Sequence, residues 1–206
     1  MKKKAAILIL GACAAAMLAG CDEKLDVNKN TIALQRGGKV LEAAVEDFSQ
    51  DYYDAEELES YIQKTVDDYT ADHGKNSVSV TESRVENKKA YLTLKYEDVE
   101  IFSDFTGIEC FSGSIVQAQT EGYAFDTDFY AVEDGAVSKE TVSADEVLKE
   151  DDLKVFIVKE NSDIVVPGKV VYVSAQGTGV SAKDTVTVEP KENDTDESIL
   201  VYVLYK

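Results

Sequence analysis

The sequence predicts an α+β fold with a mainly antiparallel sheet, one main amphipathic helix and a β-rich C-terminal half. The 206 residues include 44% hydrophobic residues, enough to bury a core in one domain or two small ones. Helical and alternating segments are segregated along the chain, without the strand–helix–strand rhythm of a parallel sheet. One long segment has helical periodicity, and β-branched and aromatic residues dominate after about residue 125.

A first hairpin is predicted at residues 31–47. Two strand-like runs, Thr31–Gln35 and Val40–Asp47, flank the segment Arg36-Gly37-Gly38-Lys39. The glycine pair supplies the positive φ angles that a tight hairpin turn requires. The two runs are therefore expected to pair as antiparallel neighbours.

The main helix is predicted to follow Asp54, a favourable N-cap residue. Glu57, three residues on, completes the pattern of a capping box. Gly74 is a natural stop. The apolar stripe of this helix consists of Leu58, Tyr61, Ile62, Thr65, Val66 and Tyr69.

A second hairpin and two short helices are predicted next. The hairpin turns at Asn87-Lys88-Lys89 between alternating runs. One short helix is expected within residues 97–106, ending at Gly107. The other is expected after Ser114, which has Gln117 three residues on and so matches a capping box.

The C-terminal half is predicted to hold a hairpin around Glu133-Asp134-Gly135, a short helix at residues 144–150 and further strands. These strands are expected at residues 155–158, 164–166, 169–174, 185–188 and 199–205. The last run is too apolar for an exposed edge, so we expect it to be an inner strand. Residues 191–198 are predicted to form a loop. A boundary near residue 125 and one continuous unit both fit, since no linker marks a boundary.

The first twenty residues have the pattern of an export signal. Lys2–Lys4 form a basic start, and Ala5–Leu18 is an apolar run too short to span the hydrocarbon core of a membrane. Leu18-Ala19-Gly20-Cys21 follows at once. In this order, the features resemble the lipobox signal peptide of bacterial lipoproteins. The resemblance implies cleavage before Cys21 and a covalent diacylglycerol lipid on the Cys21 thiol.

This resemblance divides the chain into a signal peptide (1–20), a lipid-anchored tether (21–30) and an exported domain (31–206). It implies a location on the extracytoplasmic face of the cell membrane, where acyl chains on one residue hold the protein. The nine residues 22–30 reach at most about 30 Å, so we expect the domain to lie close to the membrane. The domain itself resembles small bacterial surface lipoproteins in general character.

The strongly acidic composition limits the partners. The formal net charge is -19, and removal of residues 1–20 takes away three lysines and no acid, so the charge becomes -22. Only two arginines remain, Arg36 and Arg84. Nucleic acid is excluded as a partner, because binding its phosphates needs clustered cations. An acidic surface also keeps an exported domain soluble, so the charge alone assigns no function.

The cysteines and the single histidine predict no assembled catalytic set. Cys13 lies in the signal peptide and Cys21 is the implied lipid site, so Cys110 has no cysteine partner and is expected to be a buried thiol. His73 stands beside the predicted helix end, where a cationic histidine is favourable, so we expect a capping role. We expect no enzyme activity and no cofactor besides the lipid.

Two acidic segments suggest a calcium site. Asp126-Thr127-Asp128 and Glu133-Asp134-Gly135 offer the oxygen ligands that calcium takes. The hypothesis is that Asp126, Asp128 and Asp134 bind calcium. Solvated turns are the alternative, because neither segment has the spacing of an EF-hand loop.

Tyrosine is unusually frequent, with eleven tyrosines against seven phenylalanines. Tyrosine suits both interfaces and the wet edge of a core. Tyr52 and Tyr53 lie just before the main helix and are the predicted partner contacts.

The predicted function is that of a membrane-anchored extracytoplasmic lipoprotein, a non-catalytic interaction module of the cell envelope. Its partners would be the membrane, through the lipid anchor, and another envelope protein. The alternative is a small ligand- or calcium-binding accessory lipoprotein. An acidic envelope hydrolase is least favoured, because carboxylate pairs arise by chance in so acidic a chain and no Trp offers a sugar platform.

Overall fold

The computed structural model describes residue 25, residues 27–189 and residues 198–206. Within that part of the chain there are four helices and thirteen strands. The helices are α1 (Ala55–His73), α2 (Val99–Thr106), α3 (Ile115–Thr120) and α4 (Ala144–Val147). The strands are β1 (Thr31–Leu34), β2 (Val40–Asp47), β3 (Val78–Glu86), β4 (Lys89–Tyr96), β5 (Cys110–Ser114), β6 (Phe129–Glu133), β7 (Ala136–Val142), β8 (Lys154–Lys159), β9 (Asp163–Val165), β10 (Val170–Ser174), β11 (Thr178–Ala182), β12 (Thr185–Val188) and β13 (Leu200–Tyr205).

The strands build two sheets that share one apolar core. Sheet A has the order β11-β12-β9-β1-β2-β4-β3, and sheet B has the order β5-β8-β13-β10-β6-β7. Neighbouring strands are antiparallel except β1 and β9, which run parallel. The predicted α+β class with mainly antiparallel sheets is confirmed. The prediction of one main helix is not confirmed, because four helices form among the described residues.

Helix α1 begins and ends where the sequence predicts. The Asp54 carboxylate accepts hydrogen bonds from the backbone N–H groups of Glu56 (2.8 Å) and Glu57 (3.1 Å), donors that the first helical turn leaves free. Ile62 and Val66 are buried, so they set the direction that faces the core. Tyr61 projects about 120° away from that direction at 100° per residue, and it is exposed, unlike the predicted stripe.

The remaining predicted turns and caps in the first half also form. The β3–β4 hairpin turns through Asn87 and Lys88, which have φ angles of 53° and 61°. The Asp98 side chain caps α2. Ser114 and Gln117 make the reciprocal capping box that begins α3.

The main core lies between the two sheets, and β13 shows how it is built. This strand lies between β8 and β10, which confirms the predicted inner strand. Its alternate side chains, Val201, Val203 and Tyr205, face the inter-sheet core, while Leu200, Tyr202 and Leu204 face the other side of sheet B. Period-two alternation therefore gives sheet B two apolar faces.

Each sheet also has a cluster on its outer face. On sheet B, α3, α4 and Phe125 cover an apolar cluster that includes Leu204. On sheet A, Leu25 is buried with Ala33, Leu41 and Ala43, and Val27 packs beside them. Leu25 and Val27 of the predicted tether therefore belong to the folded domain.

Both sheets take strands from both sides of residue 125. Sheet A joins β1–β4 to β9, β11 and β12, and sheet B joins β5 to β8 and β13. Division at residue 125 would separate strands that are hydrogen-bonded to one another. The strands β5 and β11 were not among the predicted elements. The predicted loop at residues 191–198 lies outside the described residues except for Ser198.

The position of Leu204 makes it a test of the packing on sheet B. Leu204 is fully buried, so Leu204→Ala is expected to lower the free energy of unfolding by about 2–5 kcal/mol, measured by urea denaturation. Val116→Ala on α3 is the control, because Val116 is 65% exposed and its truncation should change stability by less than about 0.5 kcal/mol. Equal losses in the two variants would contradict this packing.

Candidate functional site

Three exposed tyrosines lie just before and within α1. Tyr52 is 77% exposed, Tyr53 43% and Tyr61 69%. Tyr53 stacks on Phe48 with ring centroids 5.0 Å apart and meets Tyr52 edge-on at 4.9 Å. We call Phe48, Tyr52 and Tyr53 the aromatic surface. The predicted contacts Tyr52 and Tyr53 are both part of it. Tyr61, which the stripe pattern places in the core, is instead exposed on α1.

Local backbone structure holds these rings in place. The backbone N–H of Phe48 donates to the carbonyl of Lys88 at 2.8 Å, which ties the end of β2 to the β3–β4 turn. The N–H of Tyr53 donates to the carbonyl of Gln50 at 3.1 Å in the turn before the helix. Asp54 then caps α1. The rings therefore stand on a short, hydrogen-bonded connection rather than on a long loop.

The aromatic surface has an acidic border. Asp51, Asp54, Glu56 and Glu57, which are neighbours of Tyr52 and Tyr53 along the chain, are all exposed. The hydrogen bond between the Tyr52 and Tyr53 side chains raises the pKa of Tyr53, so the phenol stays neutral. Neutral aromatic rings flanked by carboxylates form a surface suited to a partner with an apolar centre and cationic edges.

His73 is tied into the end of α1. Its Nδ1 lies 3.0 Å from the carbonyl oxygen of Tyr69, and its ring stacks on the Tyr69 ring with centroids 3.9 Å apart. Its Nε2 lies 3.5 Å from a carboxylate oxygen of Asp104, which also accepts a 2.6 Å hydrogen bond from Tyr69. Desolvation and this hydrogen bond raise the pKa of Tyr69 to about 12. These contacts join α1 to α2.

Cys110 is the free cysteine of the described chain, and it packs against the inter-sheet core. Burial raises the pKa of its thiol well above the usual range. Since the thiolate is the reactive form, this residue is a poor nucleophile. The thiol therefore acts as a small apolar group.

The three proposed calcium ligands are not brought together. Asp128 precedes β6 and Asp134 follows it, so the extended strand places them about 20 Å apart. All three side chains are exposed. The described residues contain no group of three or more His, Cys, Asp or Glu side chains that could hold a metal ion.

One carboxyl group faces the interior of the protein. Glu42 has the same orientation on β2 as the buried Val40, and Tyr96 donates a hydrogen bond from its hydroxyl to the Glu42 carboxylate. Burial raises the pKa of Glu42, the Tyr96 hydrogen bond opposes that shift and the nearby charge of Glu160 adds to it. Glu42 and Glu160 are not among the residues that line the two clefts described next.

The larger cleft is lined by cations, which is unusual for so acidic a chain. It has a volume of about 660 Å³ and lies between the β1–β2 turn of sheet A and the ends of β5, β8 and β13. Arg36, Lys154 and Lys206 line it, together with Gln117 and Pro167. Lys206 pairs with Asp152 at 3.0 Å. Among the described residues, Arg36 and Lys154 form no ion pair. No local sequence signal marks this cleft, because its cations come from three distant segments.

The smaller cleft, of about 340 Å³, is polar. Asn28, Asn30, Glu46 and Asn161 are among its lining residues. Asn30 Nδ2 donates to Glu46 at 3.1 Å, and its Oδ1 accepts from the backbone of Val45 at 2.8 Å. These side chains tie the start of β1 to the end of β2.

Comparison of the chain with protein-family models, with curated proteins and with solved structures finds no match. In the described ranges, no helix is long and apolar enough to cross a membrane. The predicted lipid site, Cys21, lies outside the described residues. Function must therefore be argued from the surfaces and groups above.

The buried Glu42 carboxyl makes stability depend on pH in a defined direction. Its raised pKa means that the folded state keeps the proton to a higher pH than the unfolded state does. The resulting stabilisation is complete below the unfolded pKa and is lost as the pH rises through the folded pKa. Glu42→Gln supplies a neutral amide that can still accept from Tyr96, so its stability relative to wild type should rise from pH 4 to pH 7.

Urea denaturation at several pH values measures this difference. Glu59→Gln, at an exposed position on α1, is the control for removal of one negative charge. A difference between Glu42→Gln and wild type that stays constant across this pH range would contradict the account of Glu42.

Proposed function

We propose that this protein is a membrane-anchored extracytoplasmic lipoprotein that binds another envelope protein through the aromatic surface. The lipobox-like segment at Leu18-Ala19-Gly20-Cys21 supports the anchor. The observation that carries the interaction is the exposure of Tyr52, at 77%, and of Tyr53, at 43%, whose rings pack edge-on with centroids 4.9 Å apart just before a capped helix. Large aromatic side chains are costly to leave in water and are enriched at the centres of interfaces.

A binding role fits the described chemistry better than catalysis does. The thiol of Cys110 is held in its neutral form by burial, and His73 is committed to contacts that join α1 to α2. The Glu42 carboxylate is committed to Tyr96 inside the domain. The acidic border of the aromatic surface favours a partner whose edge carries Lys or Arg.

In-cell crosslinking followed by mass spectrometry tests the interaction. The wild-type protein should capture a specific envelope protein, and the double variant Tyr52→Ala/Tyr53→Ala should lose it. Each truncated aromatic anchor is expected to weaken binding by about 10-fold or more, because such residues contribute at least about 1.4 kcal/mol at an interface centre. Val116→Ala is the matched control, an exposed apolar side chain on α3. Cys21→Ser, which cannot take lipid, tests whether capture depends on the anchor.

Capture that is unchanged in the double variant would contradict the role of the aromatic surface. Capture that is lost equally in Val116→Ala would show that the loss is not specific to it. Recovery of a transporter subunit in place of other envelope proteins would favour the alternative function, that of a small ligand- or calcium-binding accessory lipoprotein.

The cation-lined cleft supports a second candidate function, the binding of a small anionic ligand. Arg36 and Lys154 offer charged donors at its wall, and Gln117 adds a neutral polar side chain. The chemistry suits a phosphate or carboxylate group.

Inorganic phosphate is the probe for this cleft. At tenfold excess over its dissociation constant it should stabilise the wild-type protein by about 1.4 kcal/mol, seen as a rise in Tm. The double variant Arg36→Gln/Lys154→Gln should lose this rise, whereas Lys139→Gln on β7 should keep it. An equal rise in all three proteins would contradict a site in this cleft.

A further inference from the structure

The chain that leads to the proposed lipid site is fixed on one face of the domain. Leu25 is buried on the outer face of sheet A against side chains of β1 and β2, and Val27 packs beside it. Asn30 lies at the start of β1, next to the end of β2. Leu25, Val27 and Asn30 therefore all lie against sheet A instead of extending away from the domain.

The distance from Leu25 to the lipid site is short. Only four residue steps separate Leu25 from Cys21. Whatever their conformation, four residues reach at most about 14 Å. Packed sheets lie about 10 Å apart, and the helices on the far side of sheet B add about another 10 Å. The lipid can therefore lie beside sheet A but not beyond sheet B.

The charge of the outer face of sheet A permits an approach to a membrane. Strand register places seven charged side chains on this face, three basic and four acidic, so its net charge is about -1. They are Arg84, Lys89, Lys95, Asp47, Glu82, Glu86 and Asp163. By contrast, α1 alone carries six acidic residues and one lysine. Anionic headgroups therefore repel this face less than they repel the helical side of the protein.

The outer strands of this face add uncharged and aromatic groups. Arg84 lies over the Tyr91 ring, 3.6 Å from its centroid, and donates hydrogen bonds to Glu82 and Glu86. On the other half of the sheet, Thr185 and Thr187 point outward, since Val186 and Val188 between and beyond them face the core. The face thus combines neutral side chains with one charged cluster, Arg84 with Glu82 and Glu86, whose charges are paired with one another.

We propose that the outer face of sheet A is the membrane-facing surface of the anchored protein. The inference rests on the lipid anchor of the proposed function and goes beyond it by assigning an orientation. Sheet B and its helices then point away from the bilayer. Because Leu25 and Val27 are held on sheet A, rotation of the domain about the lipid anchor is restricted.

Fluorescence quenching by headgroup-labelled lipid tests this orientation. Single cysteines are placed at Ser79 and Thr187, both outward-facing on sheet A, and at Gln119, exposed on α3 at the far side of sheet B. Each is made in the full, lipidated protein with Cys110→Ala and is labelled with the same fluorophore. The protein is reconstituted in vesicles of phosphatidylcholine and phosphatidylglycerol that contain quencher lipid.

The probes at Ser79 and Thr187 should be quenched several-fold more than the probe at Gln119. Equal quenching at the three sites, or stronger quenching at Gln119, would overturn the orientation. Melting curves of the labelled variants establish that each is folded.

Vesicle flotation separates failure of the orientation from failure of the anchor. Lipidated protein that floats with vesicles but shows equal quenching refutes the orientation and leaves the anchor intact. Wild-type protein that floats no better than Cys21→Ser refutes the anchor, and the orientation with it. Flotation of wild type alone, together with selective quenching on sheet A, supports both.

Discussion

The fold depends on the parallel pairing of β1 with β9. Ile32 pairs with Ile164, and both side chains are buried in the inter-sheet core. This pairing joins the two N-terminal hairpins to β9, β11 and β12, so that sheet A forms one wall. About 130 residues separate the two strands, and closing so long a loop has an entropic cost that the apolar core must offset. Without the pairing, sheet A would be two separate ribbons and the core would be open on one side.

The same pairing shows which features could be predicted from the sequence. The start and end of α1, the two N-terminal hairpins and the capping box at Ser114 depend on neighbouring residues, so local patterns were sufficient to find them. The inner position of β13 followed from its apolar composition alone. The β1–β9 pair depends on residues far apart in the chain, and no local pattern marks it. Likewise β5 and β11 are short strands with glycine, and their pairing partners stabilise them more than their own composition does.

The candidate sites also divide into features that local sequence predicts and features that depend on residues far apart in the chain. Tyr52 and Tyr53 could be predicted as exposed because they precede a helix cap. Tyr61 could not, since its exposure depends on which helix face packs against β3. The acidic segments around Asp126 and Asp134 predicted one shared calcium site, but strand β6 holds the two segments apart. The cleft between Arg36 and Lys154 forms only when sheet A and sheet B come together. The composition of an acidic chain does not predict a basic cleft whose cations come together only on folding.

The proposed anchor connects these features to function. Because Leu25 is buried only four residue steps after Cys21, the proposed lipid would hold the domain against the bilayer with a defined side exposed. The most direct test is mass spectrometry of the N-terminal peptide of the protein, digested after extraction with detergent from cells that express it. The account predicts an N-terminal peptide that begins at Cys21 and carries the mass of a diacylglyceryl thioether. An N-terminus at any other residue, or a Cys21 with a free thiol, would contradict it.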